Sequence, residues 1–145
     1  MKRLLAATAT LSLLVAAGPA LAAPAKNAAC KAPAGATLVK PGAKAVESKV
    51  PTPVGALNEA SKEAGTFVLD LSGKAQSATG KLSFTLSWAN PVSDYDLVVA
   101  GSNDEATDNP ETRVFKAKHC KPVPLEVSVY LGAPTDQLTL SVKGL

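Results

Sequence analysis

Between Lys81 and Gly101 apolar and polar residues alternate so regularly that few architectures can hold the segment. Leu82, Phe84, Leu86 and Trp88 are interleaved with Ser83, Thr85 and Ser87, and Tyr95, Leu97 and Val99 with Asp94, Asp96 and Val98. A period of two puts successive side chains on opposite faces, so each run is a strand with one face in a core and the other facing out. Asn90-Pro91 lies between them, and the segment reads as a hairpin-like pair of strands joined by a Pro-containing turn. The same period recurs in Phe67–Leu71, Thr112–Ala117, Leu125–Leu131 and Leu138–Lys143. Ser72-Gly73, Asn109-Pro110 and the Gly132–Asp136 stretch punctuate these runs, and no amphipathic helix lies between them. The pattern predicts an all-β chain of two antiparallel sheets packed face to face, and it excludes parallel βαβ units, which need long crossovers.

The region before Thr66 has a different character. Lys2 and Arg3 precede an uncharged, largely apolar run from Leu4 to Ala17, which Gly18-Pro19 breaks ahead of Ala20-Leu21-Ala22. That order of features is a secretory signal peptide over residues 1–22, cleaved near Ala22. The run is too short for a membrane span, which needs about 20 apolar residues. The expected location is therefore secreted, periplasmic or extracellular.

Residues 23–57 form an Ala/Pro/Lys-rich arm with no aromatic residue, and residues 58–145 carry the sandwich. The prolines at 24, 33, 41, 51 and 53 withhold donors from any ladder, so the arm is expected to be extended and irregular. A short strand near Thr37–Val39 or Lys44–Val50 could cover a sheet edge, and Asn58–Ala64 could form a brief helical turn. Loss of the signal leaves 13 basic against 12 acidic residues, a balance of +1 that argues against a charge-driven nucleic-acid partner.

Two cysteines, Cys30 and Cys120, are the whole complement of a chain expected to be exported. In an oxidising compartment they form one structural bridge between the arm and the later strands. A redox or metal-binding pair is the alternative, but no Cys-x-x-Cys spacing supports it.

Several of these stretches together resemble the bacterial pre-peptidase C-terminal domain. They are Gly65-Thr66-Phe67, Leu82–Trp88, Asp94-Tyr95-Asp96-Leu97-Val98-Val99, Glu111–Phe115, Val127–Gly132 and Leu138–Val142. The likeness covers roughly residues 58–145 and rests chiefly on the Asp-x-Asp-Leu strand and the strand ending at Gly132. It implies a secreted β-sandwich of jelly-roll type with about 7–8 strands. Such modules are usually appended to exported enzymes. Here Leu138 stands where that family usually carries an aromatic residue, and no peptidase domain accompanies the module.

Candidate chemistry centres on carboxylates. Asp94 and Asp96 open one strand, and Asp104, Glu105, Asp108 and Glu111 follow in the next loop with Asn103 and Asn109. A hard cation such as Ca²⁺ takes several such oxygens, so Asp94, Asp96 and Asp104 are the candidate metal ligands. The spacing matches no defined calcium loop, and a solvated acidic surface explains the same residues. Catalysis has less to draw on. His119 is the one histidine and sits in Lys118-His119-Cys120-Lys121, no Gly-x-Ser-x-Gly elbow occurs, and Trp88 belongs to an apolar strand face. The expectation is a non-catalytic module that binds an extracellular protein or an envelope polymer, without nucleic acid or a membrane span. A small exported hydrolase and a calcium-stabilised carbohydrate- or protein-binding domain are the alternatives.

Overall fold

The computed structural model describes residues 23–57, 61–103 and 108–145. The signal-peptide assignment, on residues 1–22, and the candidate ligand Asp104 with Glu105 lie outside the described residues. The described residues contain eight strands: β1 (Ala36–Val39), β2 (Val46–Val50), β3 (Ser61–Leu69), β4 (Gly80–Ser87), β5 (Asp94–Val99), β6 (Glu111–Ala117), β7 (Pro122–Leu131) and β8 (Leu138–Gly144). They form two four-stranded sheets, ordered β1-β3-β7-β5 and β2-β8-β4-β6. The β-sandwich anticipated from the alternating pattern is the architecture observed. Every pairing is antiparallel except that of β1 with β3.

Odd-numbered strands build one sheet and even-numbered strands the other, so each connection crosses from sheet to sheet. This corrects the hairpin-like reading of Lys81–Gly101, because β4 and β5 do not pair with each other. The physical reason lies in their apolar faces: two strands that are neighbours in one sheet direct those faces side by side, whereas strands in opposed sheets direct them at each other. The Trp88 ring meets the Tyr95 ring edge-on at 5.4 Å across the core, and Phe67 meets Phe84 at 5.6 Å in the same way. Such pairs add about 0.5–1.5 kcal/mol each beyond the area they bury. Around them Leu69, Leu82, Leu86, Leu97, Leu125, Leu138 and Leu140 are fully buried.

The arm is more ordered than its prolines suggest. Both of its possible strands form, β1 on the edge of one sheet and β2 on the edge of the other, and Val39 and Val50 join the core. The Asn58–Ala64 helical turn does not form over its described part: Ser61–Ala64 opens β3, with Ser61 opposite Ser128 and Lys62 opposite Val127. Cross-strand pairing with β7 overrides the local preference. Leu131, inward-facing by strict alternation, is 53% exposed instead, because the β5–β7 register slips between Asp94 and Tyr95.

The sandwich has two ends. At the cysteine end β3 and β6 finish and β4 and β7 begin; at the tyrosine end β4 and β7 finish and β5 and β8 begin. Pro122 and Pro124 sit in a central strand because they lie beyond the end of β5, whose last partner on β7 is Leu125.

Candidate functional site

On β5 the two aspartates take the outer face, with Tyr95, Leu97 and Val99 in the core. Asp96 stands opposite Ser128 and is almost wholly buried. Asp94 is half-buried, and its Oδ1 is shielded from solvent without a hydrogen-bond partner among the described residues. Burial pushes the Asp94 carboxyl above the usual carboxylate range. The structure therefore brings Asp94 and Asp96 onto one face, with no described third carboxylate, histidine or cysteine grouped with them.

Glu111, counted from sequence among the loop carboxylates, belongs to a different arrangement. It opens β6, is 1% exposed, and its Oε2 accepts the Leu97 backbone N–H at 2.7 Å. Arg113, two residues on and on the same face, donates from Nη1 to the carbonyls of Leu97 at 2.8 Å and Ser102 at 2.5 Å. β5 is the edge of its sheet, and these two side chains from the opposite sheet satisfy the N–H and C=O that a further strand would otherwise take. A signal was present: β6 carries Glu111 and Arg113 on the same inward face as Phe115 and Ala117, and Val114 on its outward face, so its first half breaks the pattern of a core-facing strand.

At the tyrosine end the side chains converge on Asp136, a residue read from sequence only as part of a turn. Its Oδ2 accepts from the Ser93 hydroxyl, from the Tyr95 hydroxyl at 2.8 Å and from the Ala133 N–H at 3.2 Å. Its carbonyl accepts from Thr52 Oγ1 at 2.6 Å, while Trp88 Nε1 donates to the Ser93 carbonyl at 2.8 Å. Gly132 is required here, since a Cβ at that position would stand 2.5 Å from the Tyr95 hydroxyl oxygen. A serine, a tyrosine and an aspartate in contact resemble a reactive constellation, but their ionisation runs the other way. Burial, then the Asp136 carboxylate, push Tyr95 up to about 12, away from the range of a general base.

Burial disfavours the charged form of Asp136, yet the hydrogen bonds from Ser93, Tyr95 and Ala133 outweigh it and hold the carboxyl below its usual range. The same cluster thus bounds stability at both extremes of pH. A carboxyl with a depressed folded pKa contributes stability above the ordinary carboxylate range that is lost as pH falls through it. A phenol with a raised one contributes below pH 10 and loses that contribution as pH rises toward about 12. Asp136→Asn is expected to cost about 2 kcal/mol at pH 7 by chemical denaturation. It should also flatten the acid limb of the pH–stability curve, whereas Tyr95→Phe should flatten the alkaline limb; unaltered limbs in both variants would refute the assignment.

The cysteine end holds the remaining candidates. Cys30 and Cys120 form the expected disulfide, with Cα atoms 5.3 Å apart. His119 packs on it, with Nδ1 3.4 Å from Cys30 Sγ and Nε2 3.2 Å from Cys120 Sγ. The imidazole is nevertheless committed to the backbone. Leu71 N–H donates to Nδ1 at 3.1 Å, which places the ring hydrogen on Nε2, where it is donated to the Ala28 carbonyl at 3.0 Å. Each ring nitrogen has one in-plane position and a backbone group occupies it, so neither is presented as a base or a ligand. Beside it Asp70 caps Ser72 N–H at 2.9 Å and pairs with Lys40 at 3.7 Å.

Against this cluster lies a cleft of about 400 Å³, lined by Asn27, Gln76, Ser77, Ala78, Thr79, Lys118, His119 and Lys121. The volume falls in the range of small-molecule sites, roughly 300–1,000 Å³. Sequence reasoning missed it because its walls come from the arm, the β3–β4 loop and the β6–β7 turn. No helix among the described residues is long and apolar enough to cross a membrane. No protein-family model matches the chain, and a search of curated proteins finds no match to it.

Proposed function

We propose that this chain is an exported, disulfide-stapled β-sandwich module that acts by binding a ligand outside the cytoplasm and has no catalytic activity. One observation carries the reading: the one histidine and the carboxylates of Asp136 and Glu111 are committed to architecture. His119 clasps Leu71 and Ala28, Asp136 gathers Ser93 and Tyr95, and Glu111 caps Leu97. What stays accessible is a cleft lined in part by Lys118 and Lys121. The signal-like residues 1–22 and the Cys30–Cys120 bridge support an oxidising compartment. The resemblance of the Asp94–Val99 and Val127–Gly132 stretches to pre-peptidase C-terminal modules supports a role as an accessory domain. In the test, the purified protein is incubated with panels of ester, glycoside, peptide and phosphoester substrates, and no turnover is expected. Turnover abolished by Asp136→Asn, or by His119→Ala in a variant that still folds, would refute the reading.

A second reading, a calcium-stabilised module, draws on Asp94 Oδ1, a shielded carboxylate oxygen without a donor. Asp94→Asn separates the two by sign. With the pKa raised by burial, the charged carboxylate costs stability at neutral pH and less as pH falls. In chelator the substitution is therefore expected to raise the melting temperature at pH 7, by an amount that shrinks toward pH 3. If calcium instead raises the melting temperature of the natural protein and Asp94→Asn removes that rise, the calcium reading holds.

A further inference from the structure

We propose that the cleft at the cysteine end is a binding site for a carboxylated polysaccharide; this names the ligand for the binding module inferred above and rests on that reading. The cleft is built in advance of any ligand. Residues 25–27 of the arm pair with the β3–β4 loop through Asn27 N to Lys74 O at 2.8 Å, Gly73 N to Asn27 O at 3.0 Å and Gln76 N to Ala25 O at 3.0 Å. The opposite wall is held by Lys121 N to Lys118 O at 3.2 Å, by Cys120 N to Leu69 O at 3.1 Å and by the disulfide, which joins the two walls. Such pre-ordering removes much of the entropic cost of closing a site around a ligand.

The lining selects the chemistry. Two amides, Asn27 and Gln76, and two hydroxyls, Ser77 and Thr79, offer the mixed donors and acceptors that sugar hydroxyls need. Lys118 and Lys121, also among the lining residues, bring positive charge suited to carboxylates. Among the described lining residues the one ring is the His119 imidazole, whose edges are tied to Leu71 and Ala28, so a stacked nucleobase has no Phe, Tyr or Trp platform. No arginine is among the described residues that line it, so they offer no fork suited to bidentate phosphate recognition.

The charge around the cleft extends the site beyond one sugar unit. Lys26 bridges to Ala75 on the arm side, and Lys74 follows in the same loop. On the outer face of the β2-β8-β4-β6 sheet Lys81 stands directly opposite Lys116, and Lys143 opposite Ser83 next to them. Like charges in register repel, and a polyanion lying across them relieves that repulsion. At this end Asp70 is paired with Lys40, while Asp94, Glu111 and Asp136 lie toward the tyrosine end and Glu63 stands opposite Glu126 within the sheet. A balance of +1 after loss of residues 1–22 therefore conceals a lysine-rich end.

The test is titration of the disulfide-bonded protein with polygalacturonate, neutral dextran, polyphosphate and single-stranded DNA. Binding to polygalacturonate and not to dextran is expected. It should weaken roughly tenfold in Lys118→Met/Lys121→Met, which loses two charge-assisted contacts. It should also weaken in Gln76→Ala/Ser77→Ala, which leaves the charge unchanged, and stay constant in Lys49→Met/Lys62→Met. Binding insensitive to Gln76→Ala/Ser77→Ala, tighter binding of polyphosphate or DNA, or no binding of polygalacturonate would each overturn the proposal. Size-exclusion of the incubated polygalacturonate separates this from the broader reading: intact chains keep the module non-catalytic, whereas shortened chains overturn that reading and leave the ligand assignment standing.

Discussion

Replacing Cys30 and Cys120 together by serine is expected to lower the unfolding free energy by about 4 kcal/mol. The bridge spans 90 residues, and closing so long a loop removes much of the freedom of the unfolded state. The native contacts it leaves behind are weak: Asn27 with Lys74 and Gly73, Gln76 with Ala25, and His119 with Ala28. Residues 25–30 should therefore detach before the sandwich unfolds. Amide exchange would show this as rapid exchange of Asn27 and Gln76, with the β4 amides still protected. A loss below about 1 kcal/mol would mean that the hydrogen bonds alone hold the arm. His119→Ala, in contrast, is expected to cost only about 1–2 kcal/mol, since it orphans Leu71 N–H and leaves the covalent bridge in place.

The second large effect is at Glu111. Glu111→Ala is expected to cost about 3 kcal/mol, because it strips the Leu97 N–H of its acceptor and empties a fully buried position. Arg113 reaches the other polar group of Leu97, so the two side chains act as one clamp. A double-mutant cycle between Glu111→Ala and Arg113→Met should return a coupling above about 1 kcal/mol. Opening the clamp also exposes the edge of β5 as a template for another strand, so concentration-dependent association in sedimentation should accompany the loss. Glu111→Ala with monomeric behaviour and unchanged stability would show that the edge needs no cap.

Much of the architecture is legible in the sequence because alternation and burial are the same physical fact. Leu82, Phe84 and Leu86 read as inward-facing and are fully buried. What alternation cannot report is which strand lies beside which. The Asn90-Pro91 turn serves a hairpin or an arch equally well, and only the meeting of Trp88 with Tyr95 across the core decides for the arch. The slipped register that exposes Leu131 depends on the partner strand and leaves no mark in β7 itself.

The candidate site was harder to read, since it depends on long-range placement. Asp94 and Asp96 do share a face, as their spacing of two requires. Glu111 was grouped with them by nearness in sequence, whereas its bond is to Leu97. Asp136 could not stand out, because Ser93 and Tyr95, the residues that give it significance, are 43 and 41 positions away. The cleft draws together Asn27, Gln76 and Lys118, which no local pattern connects.

The alternation of strands between the sheets also governs when the fold can form. Among the described residues no two consecutive strands are hydrogen-bonded to each other, so none of these ladders can nucleate as a local turn. The two strands nearest the C-terminus, β7 and β8, occupy interior positions in their sheets, and both β2 and β4 require β8 as a partner. A chain emerging N-terminus first can close only the β1–β3 and β4–β6 ladders before residue 122. High contact order of this kind places folding in the range of milliseconds to seconds. The nascent polypeptide is thus expected to remain threadable until residues 122–145 are free, and truncation within β8 should abolish folding altogether instead of shortening one edge.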